Sequence, residues 1–283
     1  MEPTLLLSDS EILGKKLDAF TFDTAKALFE IHGFLKIQNL FPKPWVESLA
    51  QAFSERISFD PETLRMSRGA KVQRGRYIVQ IPFSPPFSDS RLFADPILLS
   101  LMKSFLGEDC ILGGLGAVVA LPGAQEQHIH SDFEPLFKEQ PFLTAVHAPF
   151  AIAVGIPLID IDPVNGPTKI WSATHRAPEV DKGKIDERFE RHLLHGPAGS
   201  CYFWDYRTYH AGGSNHSDSP RPLLYLSYTR RWFRDLKNPD KVVMDHEEIA
   251  PEHKSLFPRP EYLATPSEEE FQSKVLKLFE GKE

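Results

Sequence analysis

The chain has 283 residues, 41% hydrophobic and 25% charged, enough for a sizeable core with the balance of an ordinary globular protein. Its formal net charge of −7 argues against non-specific nucleic-acid binding as the main activity. Cys110 and Cys201 offer neither a disulfide framework nor zinc-ribbon spacing, no apolar run is long enough to cross a bilayer, and Leu5-Leu6-Leu7 lacks the basic leader and long apolar core of a signal peptide, so a cytoplasmic protein with free thiols is expected.

Residues 23–32 read as a short helix, with Asp23 as N-cap, Ala25, Leu28, Phe29 and Ile31 on its apolar side, and Gly33 as its stop. Residues 34–38 follow as a strand. Residues 42–57 have Pro44 near the start and Val46, Leu49, Ala50 and Phe53 at helical spacing. The segment 67–76 is basic, with Arg68, Lys71, Arg74 and Arg76; such a run is either a solvated face or a reach toward an anion, since the planar guanidinium matches a carboxylate. Residues 95–105 form a further helix, with Ile97, Leu98, Leu101, Met102 and Phe105 as its core stripe. From Ile111 the chain reads as β, in runs 111–121, 127–132, 142–159 (with a bend near Pro149), 168–171, 200–204 and 223–231. Gly, Pro, Asn and Asp fill the loops between them, and the 24 prolines are scattered, which suits many short strands in a sandwich or barrel. Residues 181–195 are highly charged, and His192 and His195 there read as surface. Residues 271–279 read as a short amphipathic helix.

Two stretches carry the chemistry. Gln127-His128-Ile129-His130-Ser131-Asp132 follows the turn pair Pro122-Gly123. In an extended strand residues two apart share a face, so His128, His130 and Asp132 would point the same way. His210 lies where the strand 200–204 has given way to a loop of small residues, Ala211-Gly212-Gly213-Ser214-Asn215, which lets backbone pass close to a metal or co-substrate. Two imidazoles and one carboxylate with other positions open make the facial set of non-haem Fe(II) oxygenases. With 11 His in the chain, a short His/Asp spacing also arises by chance, and His128 and His130 could equally mark a polar strand edge. Arg221, eleven residues after His210, opens a strand. A buried Arg needs an anion, whereas beside Pro220 and Pro222 a surface Arg is the alternative.

In this order and spacing, His130-Ser131-Asp132, His210 and Arg221 resemble the phytanoyl-CoA dioxygenase family of Fe(II)/2-oxoglutarate-dependent oxygenases. Pro122-Gly123 followed by Gln127, then Asn165-Gly166-Pro167-Thr168 with Thr174-His175-Arg176, and His210 to Asn215 extend the resemblance over roughly residues 33–234. Ser172-Ala173 stands where many members have Pro-Gly. The resemblance implies a mainly β fold with flanking α-helices, a double-stranded β-helix (a jelly-roll, cupin-like barrel). One oxygenase domain over 1–283 is expected: helices over about 21–107, a jelly-roll core over about 111–234 and a C-terminal extension over 235–283. His130, Asp132 and His210 would be the iron ligands, and Arg221 the partner of the distal carboxylate of 2-oxoglutarate. Gln127, Thr168 and one of Arg74 or Arg76 would also touch that co-substrate. Fe(II), 2-oxoglutarate and O2 are the implied cofactors, with ascorbate as an optional reductant. The expected reaction is oxidation of a C–H bond, foremost hydroxylation, in a small-molecule metabolite, since no CoA-recognition pattern is evident. Asp205 would steady a ligand or simply end a strand. Phe133, Phe137, Phe203, Trp204, Tyr206 and Tyr209 would wall a substrate pocket or fill the core.

Two other readings compete. A cupin metal enzyme or storage protein would use His128, His130, Glu134 and His210, and would need no Arg221. A catalytically inactive relative would bind without turnover. Asp132 disfavours a halogenase, which in this superfamily has a small residue at that position.

Overall fold

The structure, a computed structural model, describes residues 2–66, 70–134, 136–137, 139–177, 179–233 and 249–257. Local capping builds the N-terminal half. Strand β1 (Thr4–Leu5) leads to helix α1 (Asp9–Gly14), where Ser8 and Glu11 cap each other's backbone N–H. Helix α2 (Ala19–His32) starts a turn before the expected Asp23, because the Asp18 carboxylate accepts from the Thr21 N–H; Gly33 closes it at φ 77°. β2 (Phe34–Ile37) follows at once. α3 (Lys43–Arg56) has Pro44 in its first turn and buries Val46, Leu49 and Phe53. Then come α4 (Pro61–Met66), β3 (Ala70–Gln73), β4 (Arg76–Gln80), α5 (Ser90–Phe93) and α6 (Pro96–Leu106). Asp95 caps α6, whose expected stripe is buried.

The remaining elements are β5 (Ile111–Ala120), α7 (Pro141–Val146), β6 (Ala151–Pro157), β7 (Thr168–Trp171), α8 (Ile185–Arg188), β8 (Arg191–Leu194), β9 (Cys201–Asp205), β10 (His210–Gly212) and β11 (Arg221–Thr229). They assemble two sheets. The larger has eight strands in the order β1-β2-β9-β6-β11-β5-β4-β3, antiparallel except for β1 with β2. The smaller has the order β10-β7-β8. The fold is thus mainly sheet with flanking helices, and among the described residues no ring of hydrogen bonds closes the two sheets.

Alternation along β11 separates two environments. Leu224, Leu226 and Tyr228 join the core under the helices, together with Phe29, Leu98 and Phe203. Arg221, Leu223, Tyr225, Ser227 and Thr229 face the space between the sheets. Phe34, Tyr202 and Trp204 of the large sheet pack there with Ile170 and Leu194 of the small one. This inter-sheet side holds the site. Among the described residues no helix is long and apolar enough to cross a membrane.

Three expectations need correction. The run 142–159 is not two strands: Pro141 opens a short helix, α7, and only Ala151–Pro157 is strand, because Pro at a helix's first position needs no N–H. The charged run 181–195 contains β8, and its alternation turns His192 inward to 8% exposure, so His192 is not a surface residue. The stretch 127–132 is not a regular strand but a single bridge, His130 to His210. The helix expected over 271–279 lies outside the described residues.

Candidate metal centre and anion pocket

A cavity of about 410 Å³ lies between the sheets. His130 and His210 enter it side by side because their backbones exchange both hydrogen bonds, His130 N to His210 O at 3.0 Å and His210 N to His130 O at 2.8 Å. The rings stand 4.4 Å apart. Each Nδ1 faces a carbonyl, His128 O at 2.9 Å for His130 and Thr208 O at 3.0 Å for His210. A carbonyl only accepts, so each Nδ1 carries a proton and Nε2 is the nitrogen each ring turns to a metal. Burial, and then the neighbouring His210, pulls His130 down to about 4, which keeps it in the neutral form that binds metals.

Asp132 completes the group. Its Oδ2 accepts from Trp204 Nε1 at 2.8 Å and from Tyr225 Oη at 3.2 Å. Its Oδ1 lies 3.6 Å from His210 Nε2. One ligand atom from each of His130, Asp132 and His210 falls within 4.8 Å of the others. Two imidazole nitrogens and one carboxylate oxygen, converging on a cavity, fit a divalent transition metal.

A second cluster is cationic. Arg221 on β11 and Arg76 on β4 both pair in register with Ala120 of β5, so they stand at the same level on either side of it. Both line the cavity and both are buried, at 1% and 0% exposure. Arg221 Nη2 donates to Gly166 O at 2.9 Å, and Arg76 Nη2 donates to Gly213 O. Arg221 Nε and Arg76 Nε and Nη1 are buried without a partner among the described residues. Burial, and then Arg76, lowers Arg221 to about 9; burial lowers Arg76 to about 10. Both remain cations at neutral pH. Two buried like charges with free N–H groups need an anion, and a dicarboxylate fits them.

Gln127 and Thr168 line the same end. Gln127 Oε1 accepts the Gly212 N–H at 3.0 Å, leaving its amide N–H groups to donate. Gly212 is small because it has to be: a Cβ there would lie 2.6 Å from Gln127 Oε1 and 2.7 Å from the Arg76 guanidinium.

The structure sorts the remaining candidates. Arg74 is exposed, so of the two upstream arginines only Arg76 reaches the cavity. Asp205 does not steady a ligand: it is fully buried and grips Arg207, at 2.8 Å to Nε and 2.6 Å to Nη2. Trp204 and Tyr206 line the cavity. Phe133 does not; it packs on Phe150 and Phe233. Phe203 sits in the core under the helices, Tyr209 packs with Trp171 and Ala211, and Phe137 is 45% exposed. His128 and Glu134 are exposed and outside the cavity, so the ligand set of the cupin alternative does not assemble. Tyr225 escaped the sequence reading, although counting by twos from Arg221 places it on the same face.

This protein is an Fe(II)- and 2-oxoglutarate-dependent dioxygenase by class. Residues 29–223 match the family model of phytanoyl-CoA dioxygenase (PhyH), more than half of the chain, and the chain belongs to that family. The ectoine dioxygenase of Bordetella bronchiseptica is 26% identical over 284 residues, covering 89% of this chain and 84% of that protein. Dioxygenase af480 of Aspergillus fumigatus is 25% identical over 257 residues, covering 84% and 76%. EctD from S. alaskensis, solved with 2-oxoglutarate and 5-hydroxyectoine, superposes with a TM-score of 0.57 at 21% identity, covering 88% of this chain and 84% of that one.

Proposed function

We propose that this dioxygenase hydroxylates a C–H bond of a small-molecule metabolite, with His130, Asp132 and His210 holding Fe(II) and with Arg221, Arg76, Gln127 and Thr168 holding 2-oxoglutarate. The observation that carries the reading is the meeting of two donor sets in one cavity: a two-His, one-carboxylate group, and two buried guanidiniums with unused N–H groups. We read the packed sheets as an open double-stranded β-helix, and the chain as one oxygenase domain.

Iron and the 2-oxo acid together supply the oxidation, in which O2 is consumed and succinate and CO2 are released. The protein's share is orientation and exclusion of water. Arg221 anchors the distal carboxylate of 2-oxoglutarate. Arg76, the Gln127 amide and the Thr168 hydroxyl donate around the rest of it. Trp204 and Tyr225 donate to one oxygen of Asp132, which leaves the other as the oxygen that would hold the metal. A cavity of about 410 Å³ lies at the small end of ligand pockets. It favours a compact substrate beside the co-substrate over an acyl-CoA. Ectoine, on which the Bordetella relative acts by its name, is the reference compound against which neutral metabolites are assayed.

The test is anaerobic. Fe(II) followed by 2-oxoglutarate should produce a weak visible charge-transfer band that needs both, and Arg221→Ala should raise the 2-oxoglutarate required for it by about tenfold or more. Iron bound as tightly to His130→Ala and Asp132→Ala as to the wild type would sink the assignment. Succinate release that depends on an added substrate separates an enzyme from an inactive relative.

A further inference from the structure

Beyond the metal, the cavity continues along β5 and β11 to a mouth at Arg231, Trp232 and Phe233. The pairing of β11 with β5 shifts between Ser227 and Tyr228: Ser227 pairs with Gly114 and Tyr228 with Leu112, which leaves Gly113 as an extra residue. This is a β-bulge, a feature that re-aims neighbouring groups. Both glycines face Ser227. A Cβ on Gly114 would stand 3.0 Å from Ser227 Oγ, and one on Gly113 would stand 3.3 Å from it and 3.2 Å from Thr229 Cγ2. The two glycines therefore leave a notch in the cavity wall where side chains would otherwise stand.

A second observation points to an occupant. Ser227 is 7% exposed and Thr229 5%, and both line the cavity, where their hydroxyls are open to an occupant. A hydroxyl that opens onto a cavity takes its partner from whatever fills it. Ser227 also stands six residues from Arg221 along β11, about 20 Å in an extended strand, so the co-substrate end cannot supply that partner.

The charges narrow the class. Asp132, held at the metal end, is the one carboxylate among the described residues lining the cavity, so nothing at the notch compensates a cation. Arg231 at the mouth is half-exposed to solvent, donates to Ser255 O at 2.9 Å and already faces the Asp109 carboxylate at 3.7 Å, so its charge is screened and partly balanced. We propose that the notch at Gly113-Gly114 is the substrate subsite, and that it takes a neutral, mostly apolar molecule whose hydroxyl or carbonyl oxygen bonds to Ser227. The carbon to be oxidised then lies several bonds from that oxygen, toward Tyr225 and Asp132. The inference rests on the metal end being the oxidising centre.

The test uses protein loaded anaerobically with Fe(II) and 2-oxoglutarate and titrated calorimetrically with benzyl alcohol, toluene, benzylamine and benzoate. The alcohol should bind about three- to tenfold more tightly than toluene, the worth of one neutral hydrogen bond, and more tightly than either ion. Ser227→Ala should erase that margin and leave toluene binding unchanged. Gly114→Val should weaken all four probes while the charge-transfer band persists. Equal binding of alcohol and toluene, tighter binding of either ion, no binding of any probe, or a margin that survives Ser227→Ala would overturn the subsite. An alcohol margin in wild-type protein that shows no charge-transfer band would instead overturn the oxygenase reading and keep the notch.

Discussion

Asp132 is held from behind. Trp204 Nε1 and Tyr225 Oη both donate to Oδ2, and the Trp204 ring also packs against His210 with centroids 5.5 Å apart. Groups that orient a metal ligand typically contribute about 10–100-fold in metal affinity. Trp204→Phe keeps the packing and removes the donor, so it should weaken Fe(II) binding by about tenfold, read by competition with a metal-binding dye. Gly212→Ala makes the opposite cut. Its Cβ would press on Gln127 and Arg76, so the 2-oxoglutarate needed for half-saturation should rise several-fold while iron binding holds. At this scale the sequence was readable where chemistry is local. The grouping of His130, Asp132, His210 and Arg221 was legible through the resemblance of their order and spacing to the family, and the structure brings all four to one cavity. The argument that His128, His130 and Asp132 share a strand face fails. The segment forms a single β-bridge, at His130, and that pairing with His210 is a contact across 80 positions that no local pattern encodes.

The turn from α2 into β2 shows how one element is locked to another. Gly33 takes φ 77°, and a Cβ there would collide with the His175 ring and the Thr208 hydroxyl. His175 Nε2 donates to Glu30 O at 3.2 Å, which ties the last turn of α2 to the loop after β7. Burial pulls His175 down to about 4 from its ordinary 6.5. Between those values the unfolded chain binds a proton that the folded one refuses. The stability is thus complete above pH 6.5 and falls as the pH drops toward 4, by up to about 1.4 kcal/mol per pH unit. Urea midpoints measured at about pH 7 and about pH 5 should show the loss in the wild type and a smaller one in His175→Gln. A slope unchanged by the substitution would place the acid sensitivity elsewhere. Helices were legible where an apolar stripe announces them, as Ile97, Leu98, Leu101, Met102 and Phe105 do for α6, whereas the cap read from the sequence for α2, Asp23, lies inside the helix and Asp18 caps it. Strands β8 and β10 were not: they are only four and three residues long, one lies in a charged run, and tertiary pairing forms both.

Across the whole molecule the large sheet carries an electrostatic conflict. Arg221 and Arg76 flank Ala120 at one level, fully buried and of one sign, with N–H groups left over. Such a pair destabilises the ligand-free fold, because desolvation and mutual repulsion act together. The strand order creates it by bringing β4, β5 and β11 side by side, and on the proposed reading a dianion between the two guanidiniums would convert the conflict into attraction. Nothing in the spacing of residues 76 and 221 reveals this; the strand order does. Stability and binding should therefore trade against each other. Arg221→Leu should raise the melting temperature of the ligand-free protein, by the equivalent of about 1–4 kcal/mol less the bond lost to Gly166 O. It should also abolish most of the rise that 2-oxoglutarate gives the wild type. That rise follows RT ln(1 + [L]/Kd), about 2.7 kcal/mol at a hundredfold excess over Kd. Melting curves of both proteins, with and without 2-oxoglutarate, decide it. If the variant melts lower than the wild type without ligand and still gains the full shift with it, Arg221 is a structural residue and the anion binds elsewhere.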